Sequence, residues 1–230
     1  EIPLQDGGSL RIRGSVDRVD VLEQDGQQFV RVVDYKSGAK AFRLADIVNG
    51  LNLQMFLYLF NVCADGSNPY AGVPAGVLYM HAARSVMTVE TKRSAEKDIA
   101  GQEDKAFGMN GIVITNPDCD IPAAMEHDLA GKYIPVRLKK SGVGGSLASL
   151  EQLGLLQRKI EALVADMGNA LQNGQIGQHP VQAKDHDKTC EYCDFASVCA
   201  FKKSVTPRTY DDQTDSAVLA ELEKEGESHA

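Results

Sequence analysis

Residues 10–22, LRIRGSVDRVDVL, and 29–36, FVRVVDYK, flank the polar turn Gln24-Asp25-Gly26-Gln27. Both runs are rich in β-branched residues and partly alternate apolar with polar positions, the pattern of a half-buried strand. An Asp-Gly pair between two such runs is a strong hairpin signal. The stretch therefore predicts an antiparallel hairpin with acids on both arms, Asp17 and Asp20 on the first and Asp34 on the second. Asp34 and Lys36 stand two apart on one strand, so their side chains leave the same face. The hairpin can bring Asp17 close to Asp34, with the register left open.

Two neighbouring carboxylates repel unless a cation lies between them. A Mg²⁺ ion fills that role with one or two carboxylates, several waters and a phosphate oxygen. The ammonium of Lys36 can hold or polarise a water and stabilise charge developing on a phosphate, which completes the parts for metal-assisted phosphodiester hydrolysis. The competing reading is a strand that ends in a solvated Asp-Tyr-Lys with Asp17 and Asp20 on an exposed face; the tripeptide alone does not decide between them.

Ser37-Gly38 ends the second strand, and Asp46 is placed to cap a helix over about 47–62 whose crowded apolar residues predict burial. Gln54 and Tyr58 are four apart and share a face of it. They are either a satisfied polar pair of a buried helix or groups that serve a site, Gln54 near a metal-bound water or phosphate and Tyr58 at a nucleic-acid backbone. Further along, the pattern predicts a strand at 75–82, helical character around Ala95–Phe107, a strand at Ile112–Thr115 and a turn at Asn116-Pro117-Asp118. A helical turn around Ile121–His127 and a strand near Tyr133–Leu138 follow. Gly142, Gly144 and Gly145 read as a flexible break, and Ser146 as the start of the longest helix, about 147–172. This order predicts an α/β fold with a central mixed sheet flanked by helices.

The chain has 230 residues, 43% hydrophobic and 24% charged, with a formal charge of −8. Residues 211–230 hold seven acids and one base, so residues 1–210 carry only about −2. A near-neutral body is compatible with DNA binding without being evidence for it. Residues 203–230 read as an acidic flexible tail or a marginal helix. No apolar run approaches the roughly 20 residues of a membrane span, and there is no signal pattern, which points to a soluble chain in a reducing, cytoplasmic compartment. The first residue is Glu1, which suggests a fragment of a longer protein.

Cys63 and Cys119 stand apart, whereas Cys190, Cys193 and Cys199 form a C-x₂-C-x₅-C segment. Such crowding suits a metal or cluster better than disulfides. Three thiolates fit an incomplete four-ligand site for iron–sulfur or zinc, with His179 and His186 near enough to serve the zinc reading.

Gly14-Ser15-Val16-Asp17-Arg18-Val19-Asp20, Val33-Asp34-Tyr35-Lys36-Ser37-Gly38 and Gly50-Leu51-Asn52-Leu53-Gln54-Met55 with Tyr58 together resemble the motifs of the RecB-type branch of the PD-(D/E)XK nucleases. The resemblance implies a restriction-endonuclease-like core. It implies Mg²⁺ bound by Asp17, Asp34 and the backbone carbonyl of Tyr35, with Lys36 serving catalysis and Gln54 and Tyr58 completing the site. Within the branch the chain is similar to the nuclease domains of AddB-type subunits, in a family whose members cleave single-stranded DNA beside an AddA-like helicase–nuclease subunit in double-strand-break repair. It also implies that Cys190, Cys193 and Cys199 ligate a 4Fe–4S cluster whose fourth cysteine lies upstream of this chain; Cys63 and Cys119 do not occupy that family position. The likeness covers roughly residues 10–202, so residues 1–202 read as an N-terminally truncated nuclease domain. As a fragment it is expected to hold no intact cluster, and its activity is left open. Two other readings stay open: a non-catalytic, cluster-stabilised DNA-end-binding module, and a free-standing CRISPR-associated-type nuclease.

Overall fold

The computed structural model describes residues 1–38, 41–64, 66–82, 106–177, 179–184, 190, 193–199 and 207–228. Its strands are β1 (Ile2–Pro3), β2 (Ser9–Leu10), β3 (Arg18–Gln24), β4 (Gln27–Lys36), β5 (Val73–His81), β6 (Asn110–Thr115), β7 (Val136–Lys139), β8 (Gly142–Gly145), β9 (Leu147–Ser149), β10 (Val181–Ala183) and β11 (Arg208–Tyr210). The helices are α1 (Leu44–Val48), α2 (Gln54–Ala64), α3 (Ile121–Met125), α4 (Leu150–Gln172), α5 (Ala196–Cys199) and α6 (Asp215–Ser228). The chain divides into two compact units, Gly14–Phe42 with Gln54–Gly154, and Glu1–Arg13 with Arg43–Leu53 and Leu155–Ala230.

The first unit is built on a five-stranded mixed sheet in the order β3-β4-β5-β6-β9. The expected hairpin is β3–β4, and Asp25 and Gly26 at its turn both have positive φ, as a tight hairpin turn demands. A parallel neighbour requires a crossover, and α2 supplies it by packing on both β4 and β5. Val30, Val32 and Val33 are fully buried, so β4 meets apolar neighbours on both faces, as a central strand should. On one side Phe29, Val33, Leu78 and Val113 pack with Ile121, Ile134 and Val136. From α2, Met55, Phe56 and Leu59 are buried as well. Full burial of one such side chain is worth about 1.5–3 kcal/mol, so these residues fix the sheet end from which Asp34 and Lys36 project.

Several expectations need correction. The first strand of the hairpin begins at Arg18, not residue 10: Ser9 and Leu10 pair instead with Pro3 and Ile2. The single helix expected over 47–62 is two helices, because Gly50 (φ 88) and Asn52 (φ 55) turn the chain through left-handed backbone. Leu51 and Leu53 continue the apolar pattern across that break and disguise it. Asp46 is not a cap but a buried residue inside α1. The glycines at 142, 144 and 145 form β8, paired antiparallel with β7, instead of a flexible break. Ser146 does not open the long helix. Leu147–Ser149 first add β9 to the sheet, and Ser149 then caps α4 reciprocally: Gln152 N–H donates to Ser149 Oγ (3.1 Å) and Ser149 N–H to Gln152 Oε1 (2.8 Å). The helical reading of Ala95–Phe107 falls almost wholly outside the described residues.

In the second unit residues 215–228 take the helical alternative of the tail reading and are packed, not flexible. Helix α6 buries Val218, Leu219 and Leu222 and packs on α1. Asp215, at its first turn, accepts the Leu44 N–H (2.8 Å), while Asp46 accepts the Tyr210 hydroxyl (2.6 Å) and Asn52 Nδ2 (3.1 Å). Burial, together with the Asp46 hydrogen bond and charge, pushes the Tyr210 hydroxyl well above its ordinary pKa. Among the described residues no helix is long and apolar enough to cross a membrane.

Candidate active site

The β3–β4 register pairs Arg18 with Val33, and one step further brings Asp17 alongside Asp34. Asp17 is the residue just before β3, and its Oδ2 accepts the Tyr35 N–H at 3.0 Å, which fixes the carboxylate at the end of the hairpin. Asp34 is 6% exposed. Its Oδ2 is fully buried and has no hydrogen-bond partner, although the Lys36 ammonium stands 2.5 Å away. At that distance the ammonium is the charge partner of the buried oxygen. Lys36 Nζ also lies 5.7 Å from the centroid of the Tyr79 ring, and Tyr79 is the register partner of Asp34 on β5. That aromatic face holds the ammonium at the carboxylate.

Gln54 and Tyr58 form one unit at the start of α2, with Gln54 Nε2 donating to the Tyr58 hydroxyl at 2.8 Å. The phenol lies against Gly14, where a Cβ would stand 2.4 Å from the Tyr58 oxygen. A larger residue at 14 would force the Tyr58 ring to shift. The structure thus joins Asp17, Tyr35, Asp34 and Lys36 by direct contacts, and Gln54 with Tyr58 to the segment that leads into Asp17.

Asp20 has another fate. It accepts from Arg18 Nε (2.7 Å) and Arg31 Nε (2.8 Å). Burial would raise its carboxyl, but those two bonds and charges outweigh burial and hold it below the usual carboxylate range. Arg18 Nη1 also reaches the Tyr35 hydroxyl at 3.4 Å. Sequence reasoning missed the parts played by Gly14, Tyr79, Arg18 and Arg31. The Gly-Ser-Val-Asp run was the only available signal for Gly14. Tyr79 needed the β4–β5 register, which no local pattern encodes.

Magnesium asks for little from a protein, two carboxylates and a carbonyl being enough when water and phosphate fill the remaining positions. Asp17 and Asp34 supply two carboxylates at one end of the hairpin, and Asp34 is already paired with the Lys36 ammonium. Among the described residues no group of three or more His, Cys, Asp or Glu side chains is gathered to hold a metal. Cys190, Cys193 and Cys199 are no exception. Cys193 N–H contacts the Cys190 carbonyl at 3.4 Å, and Cys199 N–H donates to the Phe195 carbonyl at 2.8 Å, without a thiol cage among the described residues. None of the five cysteines is in a disulfide. Burial pushes the Cys63 thiol up to about 11, and burial with nearby Asp120 and Asp25 also raises Cys119.

A mixed five-stranded sheet flanked by helices, with two acids and a lysine at the end of its first hairpin, defines a restriction-endonuclease-like α/β domain. The chain belongs to the PD-(D/E)XK nuclease superfamily, whose family model matches residues 1–200. It is similar to an ATP-dependent helicase/deoxyribonuclease subunit of Bacillus cereus, 32% identical over 98% of the chain. The corresponding subunits of Clostridium acetobutylicum and Listeria monocytogenes are 30% and 28% identical. The chain spans about 20% of the length of these relatives.

Proposed function

We propose that this chain is the nuclease domain of an AddB-like subunit that hydrolyses phosphodiester bonds of single-stranded DNA with Mg²⁺, beside an AddA-like helicase–nuclease subunit in double-strand-break repair. The observation that carries the reading is the buried Asp34 carboxylate, paired with the Lys36 ammonium at 2.5 Å, at the hairpin end where Asp17 accepts the Tyr35 N–H. Two neighbouring carboxylates repel, and a divalent cation between Asp17 and Asp34 would offset that repulsion. Asp17, Asp34 and the Tyr35 carbonyl would hold Mg²⁺, which when bound supplies positive charge to the scissile phosphate and lowers the pKa of water.

The protein's own groups do the rest. Lys36, steadied by Tyr79, orients the attacking water and offsets charge that develops on the phosphate. The Tyr58 hydroxyl accepts from Gln54, so its own hydrogen is directed away and is available to a phosphate oxygen of the backbone. Gln54 supports this arrangement without carrying charge. Cys190, Cys193 and Cys199 fit iron–sulfur chemistry in kind and fall one short in number; in this reading they ligate a 4Fe–4S cluster whose fourth ligand belongs to another part of the full-length protein.

Single-turnover cleavage of labelled single-stranded DNA with Mg²⁺ tests the reading. Lys36→Ala in the full-length complex should abolish cleavage by this subunit while DNA binding survives, and Gln54→Ala should slow cleavage without abolishing it. Cleavage by Lys36→Ala at the wild-type rate would remove the lysine from the mechanism.

A further inference from the structure

Strands β7 and β8 form an exposed hairpin that the candidate active site does not use. Residues 129–150 contain Lys132, Arg137, Lys139 and Lys140 and no acid, in a chain whose formal charge is −8. Charge is therefore segregated here. The register sets Arg137 opposite Gly144 and Lys139 opposite Gly142, so these two cations, which share a face, look across at residues without side chains. The stem of Lys139 lies along Gly144, where a Cβ would meet its Nζ at 3.2 Å. Lys140 follows in the turn, and Arg137, Lys139 and Lys140 are all exposed. On the opposite face Leu138 and Val143 form a cross-strand pair, 64% and 45% exposed.

The hairpin is mounted rigidly. The buried Glu126 carboxylate accepts the N–H groups of Lys132 (2.8 Å), Tyr133 (3.0 Å) and Ile134 (3.0 Å), which fixes the approach to β7. Leu138 N–H donates to Leu129 O (2.8 Å), and Ser146 N–H to Pro135 O (2.9 Å), closing the base. The hairpin backbone is anchored at its base, and it presents Arg137, Lys139 and Lys140 to solvent with no acid in the segment to neutralise them.

We propose that the β7–β8 hairpin is a single-strand DNA grip, in which Arg137, Lys139 and Lys140 hold successive phosphates. The proposal rests on the nuclease reading above and adds to it the surface that holds the substrate. Complementary charge favours a polyanion. On the nuclease reading that polyanion is the DNA strand being cleaved.

The salt dependence of binding tests this. Each phosphate contact to a single strand contributes about 0.7 to the slope of log affinity against log salt, so loss of three should lower the slope by about 2. Extrapolated over the decade below 1 M, that is roughly a hundredfold weaker binding near 0.1 M salt. The probe is labelled oligothymidylate, measured by fluorescence anisotropy on the intact chain with chelator present so that no cleavage intervenes. The expected result is that Arg137→Gln/Lys139→Gln/Lys140→Gln loses both affinity and slope. A charge-preserving variant, Arg137→Lys/Lys139→Arg/Lys140→Arg, should retain them. Circular dichroism checks that both variants fold, and Lys139→Gln/Lys140→Gln, with a slope loss near 1.4, serves if the triple change does not. Wild-type affinity and slope in a folded charge-removal variant would overturn the grip and leave the nuclease reading intact. A wild-type chain that does not bind the oligonucleotide would also overturn the grip, while failure of Mg²⁺-dependent cleavage by the full-length complex would overturn the nuclease reading.

Discussion

Leu219 is 3% exposed on α6, between Val218 at 2% and Leu222 at 6%. Replacing it with alanine removes the larger part of a buried side chain from a helix that docks on α1, and Asp215 and Tyr210 tie the same region down by hydrogen bonds. The held surroundings limit collapse, so a cavity should remain. Leu→Ala at such a site costs about 2–4 kcal/mol, and for a chain of this size that lowers the melting temperature by roughly 5–15 °C. Differential scanning calorimetry of the wild type and Leu219→Ala measures it, and limited proteolysis reports whether the cost falls on α6 locally or on the whole unit. A fall within about 1 °C, well below the range expected for a buried leucine, with unchanged protease resistance, would show that the C-terminal helix is not part of the folded body.

Three further outcomes follow from particular contacts. Tyr210→Phe removes the hydroxyl that donates to the buried Asp46, and should cost about 1.5–3 kcal/mol in chemical denaturation, as hydrogen bonds to charged groups do. Gly14→Ala drives a methyl into the Tyr58 phenol, and should slow single-turnover cleavage about ten- to a hundredfold with little change in DNA affinity. Glu126, whose burial would raise its carboxyl, is held below the ordinary range by backbone N–H groups from Lys132, Tyr133, Ile134 and Gly131. A carboxyl lowered on folding stabilises above its unfolded pKa and loses that contribution as pH falls through the folded value. The melting temperature should therefore drop below roughly pH 4, and Glu126→Gln should flatten that acid limb.

The hairpin that carries Asp34 and Lys36 was more legible than the elements around it. Asp34, Lys36 and the Asp-Gly turn are local patterns, with a two-residue strand period and a turn chemistry that neighbours cannot easily override. Asp17 was legible as a residue but not as a neighbour, since a hairpin fixes register only once its turn geometry is known. The break between α1 and α2 was hidden because Leu51 and Leu53 keep the apolar rhythm while Gly50 and Asn52 quietly reverse the backbone. The β8 glycines looked flexible because glycine has low strand propensity; pairing with β7 supplies what intrinsic preference does not. The C-terminal helix looked too polar to fold, yet three apolar residues at 218, 219 and 222 suffice when α1 offers a surface, and no local pattern announces that surface.

In the proposed function Asp17 and Asp34 would together hold the Mg²⁺ used for phosphodiester cleavage. The most direct test is single-turnover cleavage of labelled single-stranded DNA by the full-length complex, with this subunit wild type, Asp17→Asn or Asp34→Asn, across a titration of Mg²⁺. The substitutions keep shape and remove charge. Wild-type cleavage by this subunit should appear with Mg²⁺ and vanish with chelator. Asp34→Asn should lose cleavage at every Mg²⁺ concentration, and Asp17→Asn should require far more Mg²⁺ for any activity. Unchanged Mg²⁺ dependence and rate in both variants would contradict the account.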